Sequence, residues 1–118
     1  MAELIALQQV ERPQLHGHMV QHSAKEHLVI IDNIVVACTR TQYDLLLSLL
    51  SHAGEAFSFP HLLGLSEQQP VPISLRRGLT QHISRLRTRL WPFGLDILCL
   101  NGYGYLLLSR PNDQPDER

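Results

Sequence analysis

The sequence predicts an α+β fold in which a basic, amphipathic helix is followed by a β-hairpin. In the second half of the 118-residue chain, apolar residues recur at helical spacing, at Leu79, Ile83, Leu86 and Leu90. Two short apolar runs follow at residues 97–100 and 105–108, joined by the turn sequence Asn-Gly-Tyr-Gly. An Asn-Gly turn between two such runs strongly favours a hairpin. A basic helix followed by a hairpin is the order of a winged helix-turn-helix.

The predicted helix, residues 76–90, has a polar face without acidic residues. No Asp or Glu lies between Glu67 and Asp96, whereas five of the chain's ten lysines and arginines lie there, all arginine. The forked guanidinium of arginine can bind phosphates and guanine edges with two hydrogen bonds. A helical face that is merely exposed to solvent would usually carry acidic as well as basic residues, and this one does not. We therefore interpret residues 76–90 as a recognition helix in the DNA major groove. Its candidate DNA-binding residues, together with those of the hairpin turn, are Arg76, Arg77, Gln81, His82, Ser84, Arg85, Arg87, Thr88, Arg89, Asn101 and Tyr103.

The N-terminal third predicts a small antiparallel sheet. Residues 3–10 fit either a short strand or a frayed helix, and Pro13 ends both. Two β-branched runs, Leu28–Ile31 and Ile34–Cys38, are separated by Asp32-Asn33, a pair that suits a tight turn with positive φ.

Two further helices are predicted before the recognition helix, which makes three in all. Thr39 is a candidate N-cap with Gln42 in the capping-box position, and the helix should end near Ala53-Gly54. Its expected apolar face consists of Tyr43, Leu46, Leu47 and Leu50, widened by Leu45 and Leu49. Ser58 should cap a second, shorter helix, with Pro60 in the first turn and Leu62-Leu63 facing inward. The segment 66–74, with Pro70 and Pro72, is expected to be irregular.

Composition indicates a single globular domain. Apolar residues make up 44% of the chain and charged residues 18%, and the formal net charge is −1. The net charge alone therefore does not point to nucleic acid; only its distribution does. Cys38 and Cys99 lie in strand-like runs and are predicted to be reduced, buried, small hydrophobic residues. No cationic start or membrane-length apolar run is present, so we expect a cytoplasmic protein without a membrane partner.

Metal, cofactor and enzyme functions find little support. His16, His18, His22 and His27 form a loose cluster, but it lacks the thiolates and compact spacing of a structural zinc site. We therefore predict neither a metal site nor a cofactor. No nucleophile–base pair, phosphate loop or paired carboxylates occur at catalytic spacing, which argues against an enzyme.

Three motifs carry a resemblance to a known family. Residues 82–90, His-Ile-Ser-Arg-Leu-Arg-Thr-Arg-Leu, and the later Gly-Tyr-Gly-Tyr of residues 102–105 resemble the OmpR/PhoB-type winged-helix DNA-binding domain of bacterial response regulators. Residues 39–46 are similar to that family's first helix. The resemblance implies double-stranded DNA as the partner, and Arg77, His82, Arg85 and Arg87 match family positions that contact phosphates or bases. Of these, Arg85 faces outward at mid-helix and is the expected base reader, while Arg77 and His82 are expected phosphate contacts. Arg87 lies nearer the apolar edge and either contacts DNA or braces the fold. It further implies that segment 66–74 touches RNA polymerase or a second protomer, although the same residues equally fit a plain surface connector, and a dimer on DNA is one possible assembly.

Three positions depart from the family pattern. Thr80 stands where family members usually carry Asp, Asn101 where an Arg commonly precedes the first wing glycine, and Leu106 where a basic residue commonly follows Tyr. Insertion into a narrow minor groove favours a cation, which Asn101 does not supply. An alternative function is therefore a winged-helix protein-interaction module that has lost strong DNA binding.

The predicted organisation has three parts: an N-terminal segment with short strands (1–27), the winged-helix domain (28–108) and a disordered tail (109–118). The residues ahead of Thr39 are too few for a receiver domain, since each of its parallel crossovers needs about a dozen residues or more. The chain is therefore either an excised effector domain or a stand-alone regulator, and the sequence leaves both open.

Overall fold

The computed structural model describes residues 6–15, 17–66 and 70–110, and these form two antiparallel sheets and three α-helices around a common apolar core. The first part of the predicted N-terminal segment (1–5), His16, residues 67–69 and the tail from residue 111 lie outside the described residues. Within the described ranges, no helix combines the length and the apolar character needed to cross a membrane.

The N-terminal sheet has four strands in the order β1-β2-β3-β4, all antiparallel. Its strands are β1 (Gln8–Val10), β2 (Val20–Ser23), β3 (Leu28–Ile31) and β4 (Ile34–Val36), with a short 3-10 helix at Pro13–Leu15. The predicted turn between β3 and β4 is confirmed, since Asp32 and Asn33 have φ of 51° and 68°. Because β1 pairs with β2 and β2 pairs with β3, one sheet extends across the boundary predicted between residues 27 and 28.

The first helix, α1 (Arg40–Ser51), begins with the predicted capping box. Thr39 Oγ1 accepts from the Gln42 backbone N–H at 3.2 Å, and Gln42 Oε1 accepts from the Thr39 N–H at 3.2 Å. Its leucines and Tyr43 fill the core, except that Leu47 is only half-buried. Gly54 follows with φ of 88°, close to the predicted end.

The second helix, α2 (Phe59–Leu62), is a single turn capped by Ser58, whose Oγ accepts from the His61 N–H at 3.2 Å. Phe59 is its buried residue, while Leu62 and Leu63 pack against the core only in part.

The recognition helix, α3 (Ile73–Leu90), buries the predicted stripe: Leu79, Ile83, Leu86 and Leu90 are each at most 3% exposed. It begins three residues before the predicted start, so the expectation that residues 73 and 74 are irregular was wrong. Pro72 occupies the N-cap position with φ of −59°. Proline is tolerated there because its fixed φ is compatible with the helix and the first turn does not need its missing N–H.

The C-terminal sheet contains the predicted hairpin and one strand that the sequence did not reveal. The hairpin consists of β6 (Leu95–Leu100) and β7 (Gly104–Ser109), and β5 (Phe57–Ser58) pairs with β7 in the order β5-β7-β6. β7 thus includes Ser109, and the Arg110 N–H donates to the Gly94 carbonyl at 2.7 Å. Both residues lie within the range 109–118 that the sequence predicts to be a disordered tail.

The two cysteines are free but differ in burial. Cys38 is half-buried, and desolvation raises the pKa of its thiol. Cys99, in the edge strand β6, is exposed, contrary to the prediction.

Candidate nucleic-acid interface

One face of α3 is exposed along its length and points away from the core stripe. Arg77, Gln81, Ser84, Arg85 and Thr88 are all exposed, as helical spacing requires when Leu79, Ile83 and Leu86 are buried. Near the start of the helix, Ile73, Arg76, Arg77, Thr80 and Gln81 line a shallow, open depression. The helix therefore presents a continuous polar surface whose only charged side chains are arginines.

The first half of α3 is fixed against the turn end of the hairpin. The guanidinium carbon of Arg76 lies 4.3 Å from the centroid of the Phe59 ring, a cation–π arrangement. Phe59 in turn contacts Tyr105 edge to face, with centroids 5.6 Å apart. Thr80 Oγ1 donates to the Arg76 carbonyl at 2.9 Å and lies 3.4 Å from the Tyr105 hydroxyl. These contacts set the position of α3 relative to the hairpin.

Arg87 is tied to the fold at the other end of the helix. Its Nε donates to Asp96 Oδ1 at 2.9 Å, and the same oxygen accepts from the Ile97 N–H at 2.8 Å. The Asp96 side chain is 11% exposed and that of Arg87 is 49% exposed. The bracing role that the sequence left open for Arg87 is thus observed, while half of its side chain still faces solvent.

Arg89 also has partners within the domain. Its Nη1 donates to the Ala37 carbonyl at 2.5 Å and to Gln42 Oε1 at 2.7 Å. Gln42 Nε2 lies 3.4 Å from His82 Nδ1, so one buried amide connects α1 to two candidate residues of α3. The sequence identified Gln42 only as a capping residue, and it contains no local signal for these partners.

The hairpin turn brings Asn101 and Tyr103 to the protein surface. Both are exposed, Tyr103 by 50%, and the turn is held because the Phe59 N–H donates to the Tyr103 carbonyl at 2.8 Å. No lysine or arginine occurs between residues 95 and 109. The wing therefore offers neutral hydrogen-bonding groups and an aromatic ring.

The histidines of the N-terminal sheet have partners other than a metal. His18 Nδ1 lies 2.6 Å from Asp32 Oδ2, and His22 Nδ1 lies 3.0 Å from the Tyr43 hydroxyl, whose pKa is raised by burial. Among the residues that the structure describes, which exclude His16, no group of three or more potential ligands is placed to hold a metal ion.

Comparison with known proteins agrees with this architecture. A family model described as "Transcriptional regulatory protein, C terminal" matches residues 33–107. The DNA-binding domain of CpxR from E. coli aligns with a TM-score of 0.62 and 23% identity, covering 86% of this chain and 97% of that one. No curated protein sequence matched.

Two similar structures are complexes with DNA. The DNA-binding domain of the response regulator AdeR, in complex with an intercistronic region, gives a TM-score of 0.58 at 22% identity, over 78% of this chain and 94% of that one. The Klebsiella pneumoniae RstA DNA-binding domain, in complex with the RstA box, gives a TM-score of 0.58 at 21% identity. The alignment covers 89% of this chain and 99% of that one.

These structural similarities confirm the winged-helix fold, and the family model covers well over half of the chain. Members of this family are transcription factors and not enzymes. The predicted resemblance is confirmed, and the chain belongs to the family of OmpR/PhoB-type C-terminal domains of transcriptional regulatory proteins.

Proposed function

We propose that this chain is the DNA-binding domain of a bacterial transcription regulator, with α3 in the major groove of double-stranded DNA. The observation that carries the proposal is the exposed arginine-bearing face of α3, which lies opposite its buried stripe and has no acidic residue. Arginines on such a face attract phosphates and can bond base edges. The DNA complexes formed by domains of the same fold support this reading.

Within this interface we assign different roles to different side chains. Arg85 is exposed at mid-helix, where a recognition helix lies deepest, and is the proposed base reader. Arg77 and His82 are proposed phosphate contacts, and Arg76 can reach a phosphate from its place over Phe59. Gln81, Ser84 and Thr88 complete the polar face. Arg87 and Arg89 would contact DNA only through nitrogens not already bonded within the domain.

The surroundings of α3 suit further partners. At the start of the helix, Ile73, which lies within segment 66–74, is 69% exposed, and Leu75, which directly follows that segment, is 44% exposed. Apolar side chains this exposed favour a protein contact there, for which we propose RNA polymerase or a second protomer bound to adjacent DNA. A regulator of bacterial transcription would act in the cytoplasm, where the chromosome lies.

One observation favours a second candidate function, a winged-helix module that binds protein. The wing carries no cation, and its exposed side chains include Leu98 and Tyr103. An apolar, neutral wing is better suited to a protein surface than to the minor groove.

The decisive experiment is selection of duplex DNA from a random pool by the purified chain, followed by affinity measurements at several salt concentrations. Log K should fall by about 0.9 per log unit of salt for each phosphate contacted. Arg77→Ala should weaken binding to all sequences alike and flatten that slope by roughly one. Lys25→Ala removes the same charge from an exposed turn of the N-terminal sheet and should leave the slope unchanged. Failure to select a sequence, or affinity independent of salt, would favour the protein-interaction module.

A further inference from the structure

We propose that Gln42 is a positioning residue for DNA binding, which holds the His82 imidazole in the tautomer that carries its proton on Nε2. That tautomer presents a hydrogen-bond donor on the side of the ring away from Gln42, where a phosphate oxygen can accept it. The phosphate contact rests on the proposed DNA-binding function, whereas the tautomer follows from contacts within the protein.

The orientation of the Gln42 amide is fixed by its surroundings. Gln42 is 2% exposed and lies between α1 and α3. Its Oε1 is approached by two donors, the Thr39 N–H at 3.2 Å and Arg89 Nη1 at 2.7 Å. If the amide were flipped, its buried NH₂ group would face two other donors with no acceptor, which is costly. The oxygen therefore faces Thr39 and Arg89, and Nε2 faces His82.

The amide orientation then determines the histidine tautomer. Gln42 Nε2 can only donate, and the atom it meets at 3.4 Å is His82 Nδ1, which must accept. A neutral imidazole with an accepting Nδ1 carries its single proton on Nε2. Because Nδ1 faces the buried Gln42 and Nε2 lies across the ring from it, the Nε2–H of this half-buried imidazole points away from Gln42. The opposite tautomer would present a lone pair to a phosphate oxygen and could not bond to it.

The same network links the helix cap to the interface. The capping-box bond at the start of α1 and the Arg89 bond near the end of α3 use one amide oxygen, so both hold the amide that orients His82. Arg89, itself a candidate DNA contact, thus has a second role at the interface through Gln42.

The first test is made without DNA, by ¹⁵N NMR of the histidine rings in the intact chain. At about pH 8.5, well above the usual histidine pKa of about 6.5, wild-type His82 should be protonated on Nε2 with Nδ1 as an acceptor. Gln42→Glu keeps acceptors for Thr39 and Arg89 but turns an oxygen toward His82, so the proton should move to Nδ1. Gln42→Met has a similar volume and no amide, so the ring should relax to the tautomer mixture of a free histidine, with a measurable share of the Nδ1–H form that the wild type lacks. A wild-type ring protonated on Nδ1 would overturn the assignment.

The second test measures affinity for a selected duplex by fluorescence anisotropy. Gln42→Met should weaken binding about fivefold, the scale of one neutral hydrogen bond, when His82 is present. In the His82→Ala background the same substitution should have almost no effect. Amide spectra of each variant verify the fold.

The outcomes separate the two proposals. Equal weakening by Gln42→Met in both backgrounds would mean that Gln42 acts through the fold alone and would overturn its positioning role. If wild-type His82 has the expected tautomer but the chain binds no duplex, the proposed DNA-binding function is refuted, and the phosphate contact with it.

Discussion

Replacement of Gly104 by alanine should separate the wing from β5 and disturb the positioning of α2. A Cβ built at Gly104 would lie 1.8 Å from the Phe57 carbonyl oxygen and 2.7 Å from Ser58 Cα. Both atoms are backbone, so no side-chain rotation relieves the overlap, and one strand must move. Glycine at this position is therefore required by the close approach of β5.

The size of the effect follows from what that movement breaks. β5 pairs with β7 only through Phe57–Tyr105 and Ser58–Gly104, and the adjoining Phe59 N–H donates to the Tyr103 carbonyl at 2.8 Å. Overpacking alone costs about 1–3 kcal/mol. Each backbone hydrogen bond lost adds about 1 kcal/mol. We expect Gly104→Ala to lower the free energy of unfolding by roughly 3 kcal/mol or more.

Urea unfolding followed by circular dichroism gives the measurement, with two other glycines as matched controls. Gly102 has φ of 70° with nothing within 4 Å of a built Cβ, so Gly102→Ala should cost only about 1–2 kcal/mol from backbone strain. Gly78 lies inside α3 with open space around it, so Gly78→Ala should stabilise by roughly 0.5–1 kcal/mol. A loss at Gly104 no larger than at Gly102 would refute the close approach of the strands.

Leu86→Ala should lower the free energy of unfolding by about 2–5 kcal/mol, because Leu86 is fully buried; a loss below about 0.5 kcal/mol would contradict the α3 packing. The backbone N–H of Met19, and after it His18, lowers the pKa of the Asp32 carboxyl below its usual 3.8. The ionised carboxylate therefore stabilises the folded protein above pH 3.8, and this stabilisation is lost as the pH falls through the lowered pKa. Thermal unfolding should thus find wild type more stable than Asp32→Asn at pH 7, and a difference that persisted in strong acid would contradict this. Arg85→Ala should abolish discrimination worth about 1–3 kcal/mol between selected and random duplex, whereas Asn101→Ala should change affinity by less than about 1 kcal/mol. Competition binding decides between them, and a larger effect at Asn101 would make the wing the reader.

The sequence by itself determined those features that depend on residues close together in the chain. The buried stripe of α3, the capping box of α1, the Asp32-Asn33 turn and the β6–β7 hairpin each follow from periodicity or from two to four neighbouring residues. The order of these elements was enough to predict the winged helix. The exposed face of α3 followed too, because one buried stripe fixes which positions of a helix face solvent.

Only the tertiary structure decided what the side chains on that face do. The sequence left open whether Arg87 contacts DNA or braces the fold, and in the structure it bonds Asp96 at the start of β6. Arg89, predicted only as a DNA contact, bonds Ala37, 52 residues away. Gln42 and His82, 40 residues apart, meet only because α1 packs against α3. β5 escaped prediction for the same reason, since two residues have no readable periodicity and their strand exists only by pairing with β7. Such contacts depend on how packed elements approach each other, and no local pattern of residues encodes that approach.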